Sequence, residues 1–174
     1  MGGQRMGEHR TGEYRTGEHR TTSDGVRVGY APGAWDLFHV GHLNILQHAR
    51  ARCDYLVAGV VDDDMLERAK GRRPIVPVAE RAEIVASITG VDEVFVETQP
   101  DKLVTWGLRP FDVFFKGDDW RGTPQGLDLE RRFAEVGVEV EYFPYTLHTS
   151  STALRRALEL LEGAQGAGGA SVGL

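Results

Sequence analysis

Two histidines, His39 and His42, flank Gly41 near the end of the segment Ala31-Pro32-Gly33-Ala34-Trp35-Asp36-Leu37-Phe38-His39-Val40-Gly41-His42. Imidazole N–H groups donate hydrogen bonds to anionic oxygens. A helix starting here would set both rings on neighbouring parts of one face. Its N-terminus would add free N–H groups and a partial positive charge, both suited to phosphate. Gly33 lets the backbone approach a ligand closely, and Gly41 leaves room for a phosphate. The combination describes a polyphosphate site. A pair of capping or packed histidines is the structural alternative; the glycine, the strand-then-helix position and Asp36 favour the site.

Three further segments hold most of the other unusual polar residues. Asp62-Asp63-Asp64 precedes Lys70-Gly71-Arg72-Arg73-Pro74. A basic cluster after a strand can neutralise the β- and γ-phosphates as charge develops on a leaving group. Asp63 is a candidate for contact with an acceptor substrate or a metal-bound water; a solvated turn is equally open. Lys116-Gly117-Asp118-Asp119-Trp120 offers a carboxylate that can accept from the exocyclic amine of cytosine. Its tryptophan could stack on a ligand or close a pocket, the alternative being a turn before a helix. In Tyr145-Thr146-Leu147-His148-Thr149-Ser150-Ser151-Thr152, hydroxyls at a helix start form a second phosphate cradle. His148 is either a substrate contact or a cap.

These segments need elements to position them. Short apolar runs alternate with helical periodicity. Strands are expected over 26–30, 55–61, 93–96, 111–115 and 138–143, and helices over 42–52, 79–88, 101–106, 127–136 and 150–161. Tyr55 to Val61 is almost continuously apolar, as in a buried parallel strand. The alternation implies an α/β Rossmann-like fold: a doubly wound, parallel five-stranded sheet with helices on both faces. Ligands of such sheets bind beyond the carboxyl ends of the strands, where strand order reverses. That rule gathers the four segments around one site.

The chain has 174 residues, 41% hydrophobic and 26% charged, with a formal net charge of -6. This allows one domain, over 26–162, and argues against a nucleic-acid partner. No apolar run is long enough for a membrane span, and no apolar signal core opens the chain. The single Cys53 excludes an internal disulfide and fits a cytoplasmic setting. Residues 1–25 include the pentads Met6-Gly7-Glu8-His9-Arg10, Thr11-Gly12-Glu13-Tyr14-Arg15 and Thr16-Gly17-Glu18-His19-Arg20. Almost without aliphatic residues, they are expected to form a disordered tail, with metal binding by His9 and His19 the alternative. Gly163 to Leu174 reads as a second flexible tail.

Gly33-Ala34-Trp35-Asp36 followed by His39-Val40-Gly41-His42 resembles the signature of the cytidylyltransferase-like nucleotidyltransferases. The resemblance runs from about Val28 to Leu158 and is strengthened by the later segments in the expected order. It implies catalytic roles for His39, His42 and Lys70. It implies nucleotide contacts from Gly33, Ala34, Trp35, Asp36, Gly41, Gly117, Asp118, Asp119, Thr146, Ser150 and Ser151. Arg72 stands where a second basic residue is usual. Arg81 matches an arginine that helps hold acceptor or nucleotide phosphate, so Asp63, Arg72, Arg81 and His148 form the expected substrate set. Gly117-Asp118-Asp119-Trp120 is similar to the glycerol-3-phosphate cytidylyltransferase branch, whereas Lys116 before it is similar to the adenylyl branch. Tyr145 departs from the family pattern, which has an arginine there. The expected partners are CTP, accompanied by Mg2+, and a phosphorylated small molecule. Glycerol 3-phosphate is the best single acceptor; another alcohol phosphate or a hydroxyalkyl phosphonate would also fit. No protein-held metal site is expected, and a homodimer is. The alternatives are an ATP-dependent adenylyltransferase and a nucleotide-binding module without catalysis.

Overall fold

A computed structural model describes residues 25–144 and 149–167 of the chain, with side chains described to Leu161. Thr146 and His148, Tyr145 beside them, the N-terminal pentads and residues 168–174 lie outside the described residues. The order is β1 Val28–Gly33, α1 Val40–Arg50, β2 Tyr55–Val61, α2 Asp63–Lys70, α3 Val78–Ala86, β3 Glu93–Glu97, α4 Lys102–Leu108 and β4 Val113–Gly117. A 3-10 turn over Asp118–Trp120, α5 Pro124–Ala134, β5 Glu139–Phe143 and α6 Ser151–Ala167 complete it. The helix α6 therefore continues past Gly163, where the sequence predicts a tail.

The five strands form one sheet in the order β3-β2-β1-β4-β5, and every pairing is parallel. Alternation along the strands divides the core in two. Val28, Tyr30, Tyr55, Val57 and Phe114 pack with Leu129 and Phe133 of α5. Ala31, Leu56, Ala58, Val60, Val113 and Phe115 pack with Leu46 and Ala49 of α1 and Ala82 and Val85 of α3. Strands covered on both faces explain the unbroken apolar run of β2. After β3 the chain crosses back to place β4 on the other side of β1, so the strand order reverses between β1 and β4. That crevice is where this fold class takes its ligands.

Strand β1 runs beyond the expected Tyr30 to Gly33, through Pro32. Its register with β4 is confined to Gly29 and Tyr30, while its register with β2 continues through Gly33. Pro32 thus falls where β1 is paired on one side only, the position in which a strand tolerates proline. The helix α2 is an addition to the expected elements. Asp62 caps its start by accepting from the Met65 amide at 2.5 Å, and Gly71, at φ 69°, ends it in the left-handed region. Asp62, Asp63 and Asp64 are consequently a cap and a first helical turn rather than a loop.

Candidate active site

The loop from β1 to α1 carries the histidines and is held in an unusual backbone shape. Trp35 and Leu37 have positive φ, 55° and 50°. For residues with a Cβ this costs on the order of 1–2 kcal/mol each. Burial offsets it: Trp35 is only 2% exposed, and its indole N–H donates to the Gly59 carbonyl at 2.8 Å. A Cβ at Gly33 would lie 2.7 Å from the Trp35 ring. The missing side chain of Gly33 therefore makes room for the Trp35 ring, while its backbone lines the cavity.

His39 is the N-cap of α1. Its Nδ1 accepts from the Gly41 amide at 3.0 Å, so in the neutral ring the proton sits on Nε2. One amide expected to face phosphate is thereby already engaged. The His39 and His42 rings stack with centroids 4.0 Å apart, and Trp35 meets His42 edge-on at 5.3 Å. Burial lowers the pKa of both imidazoles. That of His42 falls to about 4 through burial and then the nearby His39. Both rings are therefore neutral near pH 7, each with one N–H to donate. Among the described residues His42 Nδ1 is a buried polar atom without a hydrogen-bond partner.

A cavity of about 280 Å³ opens over the carboxyl ends of β1 and β4. Gly33, Ala34, Trp35, Asp36, His39, Gly41, His42, Lys70, Arg72, Gly117, Asp119 and Ser151 all line it. Most of the expected site is thus brought together. Lys70, in the last turn of α2, has its pKa lowered by burial and then by Arg72. Lys116 and Arg155 also reach the wall. The cavity carboxylates are Asp36 and Asp119, so cations predominate.

Asp36 is occupied by the protein itself. Its carboxylate accepts from the Ile75 amide at 3.1 Å, the Val76 amide at 2.9 Å and Arg155 at 2.5 Å, and its carbonyl accepts from the Ser151 hydroxyl at 2.7 Å. Burial acts to raise its pKa, but these amides and Arg155 outweigh it and hold the carboxyl below its usual range. Asp36 thus ties the first loop to the 71–77 segment and to α6. Arg155 was not singled out by sequence reasoning. The available signal was its place one helical turn after Ser151, on the same face.

Several expected contacts lie elsewhere. Arg81 is fully buried and donates to Asp63 at 2.6 Å, to Val76 O at 2.8 Å and to Ala34 O. A guanidinium with these partners, away from the cavity wall, braces the loops from beneath. Neither Arg81 nor Asp63 is a wall residue. Asp118 is also absent from the wall. Ser150 caps α6, accepting from the Ala153 amide at 3.2 Å. Trp120 does not line the cavity; its ring packs on the second core, with Lys116 Nζ 4.3 Å from its centroid. Cys53 sits against the first core, and burial raises its thiol pKa to about 11, so it is inert.

The family model described as cytidylyltransferase-like matches residues 30–157, well over half of the chain. Curated relatives named bifunctional protein HldE share this region. The chain is 44% identical over 99 residues to the one from Acidiphilium cryptum, covering 55% of this chain and 20% of that protein. It is 35% identical over 136 residues to the one from Hyphomonas neptunium, covering 75% and 26%. With that of Streptomyces coelicolor it shares 39% over 127 residues, covering 71% and 27%. The chain therefore spans about a quarter or less of the length of these relatives. Among solved structures, a lipopolysaccharide core biosynthesis protein from Thermoplasma volcanium shares the fold, with a TM-score of 0.60 at 22% identity, covering 71% of this chain and 99% of that one. By the extent of the family match, over the same strands and loops that build the cavity, the chain belongs to the cytidylyltransferase-like nucleotidyltransferase family.

Proposed function

We propose that this chain transfers AMP from ATP to a phosphorylated sugar or polyol, releasing pyrophosphate. The observation that carries the transfer chemistry is the stacked pair His39 and His42, lining one cavity with Lys70, Arg72 and Lys116. An acceptor phosphate oxygen attacks the α-phosphorus. A new P–O bond forms, the bond to the β-phosphate bridging oxygen breaks, and pyrophosphate leaves with that electron pair. The attacking oxygen is already anionic, so no base is required. The protein's task is to bring two anions together and to stabilise charge gained at the α-phosphate. The imidazole N–H groups suit the α-phosphate oxygens, and Lys70 and Arg72 suit the β- and γ-phosphates. Mg2+ entering with the triphosphate would supply further charge neutralisation.

Adenine is favoured over cytosine on two grounds within the chain. Lys116 before Gly117 resembles the adenylyl branch. Trp120, part of the segment that resembles the cytidylyl branch, lies off the cavity wall. Asp119 does not discriminate, because adenine and cytosine both present an exocyclic amine. The similarity to HldE proteins points the same way, towards a sugar phosphate as acceptor. CTP with glycerol 3-phosphate is the second reading, on the strength of Gly117-Asp118-Asp119-Trp120. Pyrophosphate release from purified protein, with ATP and CTP each offered a panel of sugar and polyol phosphates, separates the two. Turnover with CTP alone refutes the adenylyl reading, and turnover with neither refutes both.

A further inference from the structure

The acceptor brings its own phosphate; of the four residues expected to hold it, Asp63 and Arg81 are paired with each other, Arg72 lines the cavity and His148 lies outside the described residues. We propose that Lys116 binds the acceptor phosphate, on the flank of the two histidines opposite the terminal phosphates of the nucleotide. This assignment rests on the nucleotidyl-transfer reading above.

The argument starts from the direction of the reaction. In-line displacement puts the attacking oxygen and the departing pyrophosphate on opposite sides of the α-phosphorus. The sheet supplies two cationic flanks in that relation. Lys70 ends the helix that follows β2, and Lys116 lies near the end of β4; β2 and β4 are the two neighbours of β1, whose loop carries His39 and His42. If Lys70 meets the β- and γ-phosphates, the nucleophile enters from the Lys116 side. Both lysines line the same cavity.

Lys116 is also free to take an anion. Among the described residues, no carboxylate is within ion-pair distance of its Nζ. The Trp120 ring covers one side of the ammonium at 4.3 Å, but an aromatic face satisfies none of its three N–H donors. Its pKa is pushed down to about 8 by burial and then by Lys102 and Lys70, against the opposing pull of Asp119 and Glu97. A desolvated ammonium beside other cations gains more from an arriving phosphate than an exposed lysine does.

The test needs neither turnover nor the identity of the acceptor. Non-hydrolysable α,β-methylene ATP and CTP are titrated into the full chain, and inorganic phosphate is then titrated into the complex formed. Lys116→Met and Lys116→Gln are expected to weaken phosphate binding at least about tenfold, with analogue affinity changed less than about threefold and Lys116→Arg restoring most of the loss. Unchanged phosphate binding in the folded variants overturns the proposal, as does a comparable loss for the analogue or a wild-type complex that takes no phosphate. A wild-type chain that binds neither analogue refutes the nucleotidyl-transfer reading instead. If the Met and Gln variants fail to fold, the Lys116 Nζ resonance, assigned by its loss in Lys116→Arg, is followed by NMR: it is expected to shift when phosphate is added to the wild-type complex, and no shift overturns the proposal.

Discussion

In the proposed reaction His39 and His42 would act as neutral donors, their rings stacked 4.0 Å apart. The Gly41 amide orients one ring, and the rings of Trp35 and Phe38 confine the other. Donors placed where charge develops act on the transition state more than on the bound nucleotide. His39→Ala and His42→Ala should therefore each lower kcat by about 10²–10³-fold, with the nucleotide KM within a few-fold; steady-state pyrophosphate release checks this. His42 also links stability to pH. Its folded pKa of about 4 lies below its ordinary 6.5, so between those values the unfolded chain binds more protons. The stability it contributes is fully present above pH 6.5 and is lost as pH falls towards 4, on the order of 3 kcal/mol in all. Denaturant melts at pH 7 and pH 4.5 should show a smaller acid loss in His42→Gln than in the wild type. Parallel losses would place the acid sensitivity elsewhere.

At the scale of elements, legibility in the sequence depended on whether a signal was local. The histidine loop, β2 and the capped start of α6 could be read because their patterns lie within a few residues. The helix α2 was hidden by its polarity, with Met65 and Leu66 its only buried residues, although Asp62 and Gly71 carried its start and stop signals. The fate of Arg81 could not be read at all. Its partners Asp63 and Ala34 are brought to it by the sheet, not by sequence spacing. The same holds for the junction of Asp36 with Ile75, Val76 and Arg155. These two hubs bind the β1–α1 loop to the segment carrying Lys70 and Arg72, which yields separate outcomes. Arg81→Met removes a buried charge from beneath three acceptors and should cost about 3–5 kcal/mol in denaturant unfolding. Asp36→Ala strands two amides and Arg155 at the cavity wall. It should raise the nucleotide KM about tenfold or more, as the loss of one or two charge-assisted hydrogen bonds implies. A normal nucleotide KM in a folded Asp36→Ala protein would show that the basic segment holds its place without this junction.

At the scale of the molecule, two fields of opposite sign would act on an anionic substrate of the proposed reaction. The chain carries a formal net charge of -6, which repels it at a distance. The crevice between β1 and β4 gathers Lys70, Arg72, Lys116 and Arg155 against Asp36 and Asp119, which attracts it once inside. Dissolved salt separates the two contributions. At 0.1 M ionic strength charges more than about 10 Å apart in solvent are largely screened, so the repulsion of the distant surface is already weak. Attraction within a cavity that water only partly fills is screened less, yet it still declines as ions compete for the lysines. Local attraction should therefore dominate, and the nucleotide KM should rise about threefold or more between 0.05 and 0.5 M KCl with kcat little changed. A KM that falls over this range would mean that the overall charge governs encounter. The outcome also bears on Lys116. If both flanks of the crevice are cationic toward ligand, the KM values for nucleotide and acceptor should rise together with salt. In Lys116→Met only the acceptor should lose that dependence.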